Sequence, residues 1–193
     1  MGGDVRMTLA RADHYAARFM KILEGWTNKA IIVGSVRRRC ETVGDIEIVC
    51  TPHPKHKLSD LFGKDYPGLV TDGERLKRFK YPEANLQIEL YITTEIDFGR
   101  IVAIRTGSSA YSRIKLATTW NRQGWCGTVD GLRRKKECVK KSIWKIKDEF
   151  KDNPTLPPPF ESEESFFDFL DIPWEDPRKR SWTSQHEQLN YSK

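Results

Sequence analysis

Two short apolar runs, Ile31-Ile32-Val33 and Ile46-Glu47-Ile48-Val49-Cys50, flank the dipeptide Gly34-Ser35 and the basic segment Arg37-Arg38-Arg39. The order reads as strand, glycine-serine turn, basic loop, strand. The second strand carries carboxylates at Asp45 and Glu47, two positions apart, so both project from one face of a sheet. Two acids side by side repel each other, and the pair is costly unless a cation lies between them. A hard divalent ion with oxygen ligands relieves that repulsion, and Mg2+ shared with substrate phosphates is the usual solution. The Gly34-Ser35 turn can bring backbone N–H groups and a hydroxyl close to a phosphate. A phosphate grip beside a metal grip predicts nucleotidyl transfer.

The chain of 193 residues is long enough for one domain, or one domain with a small lobe. Its 38% hydrophobic and 31% charged content suits a soluble globular protein with a modest core. No apolar run reaches the length of a membrane span, and the N-terminus shows no signal-peptide core, so an intracellular location and no membrane partner are expected. Cys40, Cys50, Cys126 and Cys138 form no Cys-x-x-Cys pair and read as free thiols in a reducing compartment. The net charge of +6 favours a polyanionic partner. The cations cluster at Arg37–Arg39, at Lys77, Arg78 and Lys80, and at Arg133, Arg134, Lys135 and Lys136 with Lys140, Lys141, Lys145 and Lys147 following. Any one cluster fits a solvated face; three beside an acid pair favour nucleic acid.

Apolar spacing predicts a helix over 7–24, strands at 30–33 and 45–50, and a helix over 55–62. A basic strand Leu76–Tyr81, a turn Pro82–Asn85 and a strand Leu86–Ile92 form a hairpin. Helices over 95–105 and 109–123 are split by Thr106-Gly107-Ser108. A strand pair is expected at Trp125–Leu132, a basic helix over 139–150 and an amphipathic helix at Glu163–Leu170. This order predicts an α+β fold, with a mixed or antiparallel sheet flanked by helices and a small C-terminal lobe. The expected divisions are 1–105, 106–180 and a polar tail over 181–193.

Phosphoryl transfer to a hydroxyl calls for a third carboxylate near the attacking oxygen. Glu89 is the candidate, on a strand where Gln87 and Tyr91 share its face and Ile88, Leu90 and Ile92 point the other way. Read alone, it fits equally an exposed acid on an edge strand. Thr106-Gly107-Ser108 offers close backbone approach to a sugar or base, although alone it reads as an ordinary helix–helix turn.

Taken together, Gly34-Ser35-x-Arg37-Arg38, Gly44-Asp45-x-Glu47, Glu89 and Thr106-Gly107-Ser108 resemble the DNA polymerase X family. The C-terminal run Ser162-Glu163-Glu164-Ser165-Phe166-Phe167, followed by Pro173 and Pro177-Arg178-Lys179-Arg180, is similar to that family's closing motif. The resemblance spans about residues 6–180. It implies a nucleotidyltransferase palm over 1–105 and a nucleotide- and DNA-binding lobe over 106–180. It implies a monomeric DNA-directed DNA polymerase that adds deoxynucleotides to a primer 3′-hydroxyl, with repair or gap filling as the associated role. Two Mg2+ or Mn2+ ions would be held by Asp45, Glu47 and Glu89, the three catalytic acids. Gly34, Ser35, Arg38, Gly44, Thr106, Gly107, Ser108 and Ser112 would contact the dNTP, with Arg6 a further candidate for its triphosphate. DNA would be held by Arg133, Arg134, Lys135 and Lys136, by the lysines that follow and by Trp144. So little chain precedes Gly34 that a minimal form is expected, without the family's N-terminal lyase and helix-hairpin-helix domains.

The departures from the family pattern are specific. Glutamates stand at 47 and 89 where the family usually has aspartates, which predicts altered metal geometry and a preference for Mn2+. Ile104-Arg105 replaces the usual aromatic pair before Thr106, and Ser112 stands in place of an asparagine. Two rival readings remain at this level: a template-independent enzyme, or one acting on RNA or another acceptor, and a non-catalytic nucleic-acid-binding protein built on the same fold.

Overall fold

A computed structural model describes residues 6–182. The first helix, α1 (Leu9–Leu23), starts where Thr8 caps it, the hydroxyl accepting from the Arg11 N–H at 3.4 Å. Ala12, Ala16, Phe19 and Leu23 recur at helical spacing and are buried against a sheet. Ahead of α1, β1 (Met7–Thr8) pairs with β3 (Thr42–Val43), fixing the entry of the chain beside the Gly34–Asp45 segment.

The sheet under α1 has five strands: β2 (Thr27–Ile32), β4 (Ile46–Pro52), β5 (Leu69–Asp72), β6 (Leu76–Tyr81) and β7 (Leu86–Ile92). Their spatial order is β2-β4-β7-β6-β5. Only the central pair β4/β7 is parallel, so the sheet is mixed. Alternation along the two central strands decides everything about the site. Ile46, Ile48 and Cys50 of β4, with Leu86, Ile88 and Leu90 of β7, face α1 and form the main core with Phe62 and Phe79. Each such side chain contributes roughly 1.5–3 kcal/mol on burial. Glu47 and Val49, with Gln87, Glu89 and Tyr91, occupy the opposite face by the same alternation.

That second face is covered at one end only. The helix α4 (Phe98–Thr106) lays Val102 against Val33, Val49 and Tyr91. The acids of β4 and β7 lie beyond this apolar patch. Between β2 and β3 the chain makes one helical turn, α2 (Gly34–Arg37), where sequence reading gives a plain turn and loop. The short α3 (Leu58–Leu61) lies within the helix expected over 55–62, and β5 is a strand that the sequence did not signal.

After α4, helical segments α5 (Ser109–Tyr111), a π-helical turn Ser112–Ala117 and α6 (Thr118–Arg122) follow one another. A second sheet follows, built from β8 (Trp125–Thr128), β9 (Gly131–Arg134), β10 (Cys138–Lys140) and β11 (Trp144–Ile146) in the order β10-β11-β8-β9. The basic helix expected over 139–150 is therefore a correction. Residues 138–146 form an antiparallel hairpin, with Cys138 opposite Ile146 and Lys140 opposite Trp144. Trp144-Lys145-Ile146-Lys147 alternates with the two-residue period of a strand, and pairing of β11 with β8 fixes that choice.

The last helix, α7 (Glu163–Phe169), carries a Ser162/Ser165 capping box and packs Phe166 and Phe167 into a separate core with Tyr111, Leu116, Trp120, Trp125 and Phe160. It crosses α4 at Gly99, where an added Cβ would stand 1.7 Å from the Ser162 carbonyl oxygen. Only glycine permits that approach. Among the described residues no helix is long and apolar enough to cross a membrane, and all four cysteines are free thiols. The polar tail expected over 181–193 lies outside the described residues beyond Trp182.

Candidate active site

Asp45 and Glu47 open into a cleft of about 570 Å³, whose walls include Arg6, Ser35, Arg38, Gly44, Lys80, Asn85 and Gln87. Residues far apart in sequence meet here because β4 and β7 are parallel neighbours and α2 packs over the start of β4. Gly34 has φ +63°, and a Cβ at this position would stand 2.1 Å from Glu47 Oε2. The turn thus passes directly over the acid, which sequence alone did not show. The Val33 N–H donates to the Glu47 carbonyl at 2.8 Å and locks the two segments together.

Glu47 is half-buried, and its carboxyl is pushed up to about 7. Burial is the first cause, and repulsion from Asp45 and, more weakly, Glu89 adds to it; Arg105 and Arg38 offset only part. A divalent cation between Asp45 and Glu47 would reverse that cost, so this pair fits a hard metal ion. Glu89 stands directly opposite Glu47 in the β4/β7 register. Its carboxylate, however, is turned to other partners. Arg78 Nε donates to Glu89 Oε1 at 2.7 Å, Gln87 Nε2 to the same oxygen at 3.1 Å, and the Tyr91 hydroxyl to Oε2. Accordingly, among the described residues no three acid, histidine or cysteine side chains are gathered as a ready-made metal cage.

Arg38 forms part of the basic wall of the cleft. Its Nη1 donates to the Thr106 carbonyl, while its buried Nε has no hydrogen-bond partner among the described residues. An orphaned guanidinium donor beside Ser35 fits a phosphate oxygen. Arg6 reaches the cleft with its guanidinium bonded to Thr42 Oγ1 and to the Thr42 carbonyl, each at 3.0 Å.

Thr106, Gly107 and Ser108 are placed by a buried ionic hub that sequence reading did not identify. Glu163, at the start of α7, accepts from Arg37 at 2.9 and 3.0 Å, from Arg180 at 2.6 Å and from the Trp174 indole at 2.9 Å. Burial alone would raise the Glu163 carboxyl, but hydrogen bonds and charge from Arg180 and Arg37 outweigh it and hold the carboxyl below the usual range. Arg37 also donates to Thr106 Oγ1 at 2.5 Å. The Ser108 N–H donates to the Arg180 carbonyl and its hydroxyl to the Trp182 carbonyl, both at 2.9 Å. The Gly107–Ser108 peptide is cis. The Thr106 side chain is thus an anchor facing the hub, and Gly107 lies against Arg38, which a Cβ there would approach to 3.1 Å.

Two groups of expected contacts are not brought to the cleft. The Ser112 hydroxyl donates to the Ile104 carbonyl of α4 at 2.7 Å and is spent on joining the two helical segments. Arg133, Arg134 and Lys135 are half-buried and occupied internally. Lys135 donates to the Asn121 carbonyl at 2.8 Å and Arg134 to the Gln123 carbonyl at 3.2 Å, closing the end of α6. Arg134 also stacks on Trp125, and Arg133 donates to the Leu132 carbonyl. Lys136 is exposed, as are Lys140, Lys141 and Lys145 on the hairpin, with Ile143 at its tip and Lys140 over the Trp144 ring. The free positive surface lies on this hairpin more than on residues 133–135.

Comparison with protein-family profiles and with curated protein sequences returns no match.

Proposed function

We propose that this protein is a metal-dependent nucleotidyltransferase of the DNA polymerase X type, with a palm built on the five-stranded sheet. The observation that carries the proposal is the convergence of Ser35, Arg38, Asp45 and Glu47 on one cleft, with the Glu47 carboxyl raised to about 7. In this reading Ser35 and the orphaned Arg38 Nε hold the outer phosphates of an incoming dNTP. Asp45 and Glu47 would hold Mg2+ or Mn2+, with Glu89 completing the set. The bound cations would neutralise charge that develops on the phosphoryl oxygens. Glu89 positions the primer 3′-hydroxyl, which attacks the α-phosphorus; the bond to the β-phosphate oxygen breaks, and pyrophosphate leaves. The hydroxyl proton passes to a nearby carboxylate or to solvent.

DNA is the acceptor this reading favours, held by the lysines of the β10–β11 hairpin and by Lys80 at the mouth of the cleft. The test is primer extension by the purified chain with Mg2+ or Mn2+, beside Asp45→Ala. Incorporation by the parent and none by the variant is the expected result. Equal incorporation by both refutes the assignment, and extension only on RNA replaces the acceptor.

A further inference from the structure

Glu89 is the acid that the cleft does not yet own. It lies level with Glu47 on the same sheet face, yet its carboxylate points along β7 toward the neighbouring strand β6. The reason is register. Arg78 of β6 is the direct cross-strand partner of Glu89, on the same face. Its guanidinium reaches the carboxylate at 2.7 Å, and the Tyr91 hydroxyl and Gln87 amide complete the enclosure. Glu89 is 7% exposed. A carboxylate this buried needs a counter-charge, and the strand pairing supplies a fixed one.

From this geometry we infer that Arg78 is a latch on Glu89, a built-in cation that competes with the metal ion for the third acid and sets the metal affinity of the site. The inference rests on the metal-site reading proposed above. While the latch is closed, Asp45 and Glu47 alone face the cleft. For Glu89 to join them its carboxylate must leave Arg78, so each binding event carries the cost of parting a charge-assisted hydrogen bond. Arg78 touches none of the groups assigned to substrate, and it acts through Glu89 as a positioning residue. Gln87 and Tyr91 are neutral and can keep their bonds to a carboxylate that has turned; Arg78, as a like charge, opposes a cation at any position nearby.

The experiment is a Mn2+ titration of the nucleotide-free protein, read from the electron paramagnetic resonance signal of the free ion. Parent, Arg78→Met, Arg78→Gln, Arg78→Lys and Asp45→Asn are compared, with a thermal melt of each to confirm folding. Removing the latch should tighten Mn2+ binding by about three- to tenfold in Arg78→Met and Arg78→Gln, the lower figure reflecting partial solvent screening of Arg78. Arg78→Lys should stay near the parent. Equal or weaker Mn2+ binding in both folded neutral variants overturns the latch while leaving the metal site intact. A parent that binds no more Mn2+ than Asp45→Asn refutes the metal site itself, and the latch with it.

Discussion

Glu47→Gln is the substitution whose effect follows most directly from the structure. Glu47 faces Asp45 and Glu89 on the acid side and Arg105 and Arg38 on the basic side, and its carboxyl is raised from 4.5 to about 7. Because the folded state holds the proton more tightly than the unfolded state, its contribution to stability is present in full below pH 4.5. It is lost as pH rises through 7. A displacement from 4.5 to about 7 corresponds to about 3 kcal/mol. Glutamine mimics the protonated acid and keeps that stability at every pH. In EDTA, urea denaturation should therefore find the variant and the parent within about 1 kcal/mol of each other at pH 4.5. At pH 8.5 the variant should be more stable by about 2–3 kcal/mol. Titrating groups remote from Glu47 are shared by the two proteins and cancel in the difference. Adding Mn2+ at pH 8.5 should restore the parent and leave the variant nearly unchanged. A difference that does not vary with pH, or a parent more stable than the variant at pH 8.5 without metal, refutes the account of the acid pair.

Glu163→Gln strips the counter-charge from Arg37 and from the fully buried Arg180, and should lower stability by about 3–5 kcal/mol, seen as a fall in Tm of roughly 10 °C. Gly34→Ala forces an L residue to φ +63° and displaces the Glu47 carboxylate. It should cost about 1–2 kcal/mol in urea denaturation and weaken Mn2+ binding in a direct titration. Reversing charge at Lys140 and Lys145 together should reduce affinity for duplex DNA by about tenfold or more at low salt and flatten its salt dependence, measured by fluorescence anisotropy. The same change at Lys135 should act mainly on stability, because that ammonium closes the end of α6.

The elements at the site were legible because their signals are local. Alternation in Ile46–Cys50 and Leu86–Ile92 gives strand, face and core in one pattern, and the structure assigns the strands Ile46–Pro52 and Leu86–Ile92. The hairpin 138–146 misled because lysines mixed with Val139, Ile143 and Trp144 fit either period, and only pairing with β8 decides between them. What the sequence hid was pairing across distance. No local pattern joins Arg37 to Glu163 or places the Gly34 Cα against Glu47. Arg78 is the exception that could have been found: counting back along the hairpin from the Pro82–Asn85 turn sets it opposite Glu89. The cations of 133–135 show the reverse error, since a run of charge says nothing about which side chains close a helix end.

The Glu163 hub also imposes an order of assembly. Arg37 belongs to the first strand–turn–strand unit, whereas Glu163, Trp174 and Arg180 are contributed by the end of the described chain. Local contacts form early and such distant ones late. The five-stranded sheet can therefore gather its acids while Arg37, Arg38 and the 106–108 loop still lack their final bearings. The Arg38 end of the cleft is finished last, when Arg180 seats against Glu163. The acid face of the sheet can thus be complete before the Arg37–Arg38 side of the cleft is fixed.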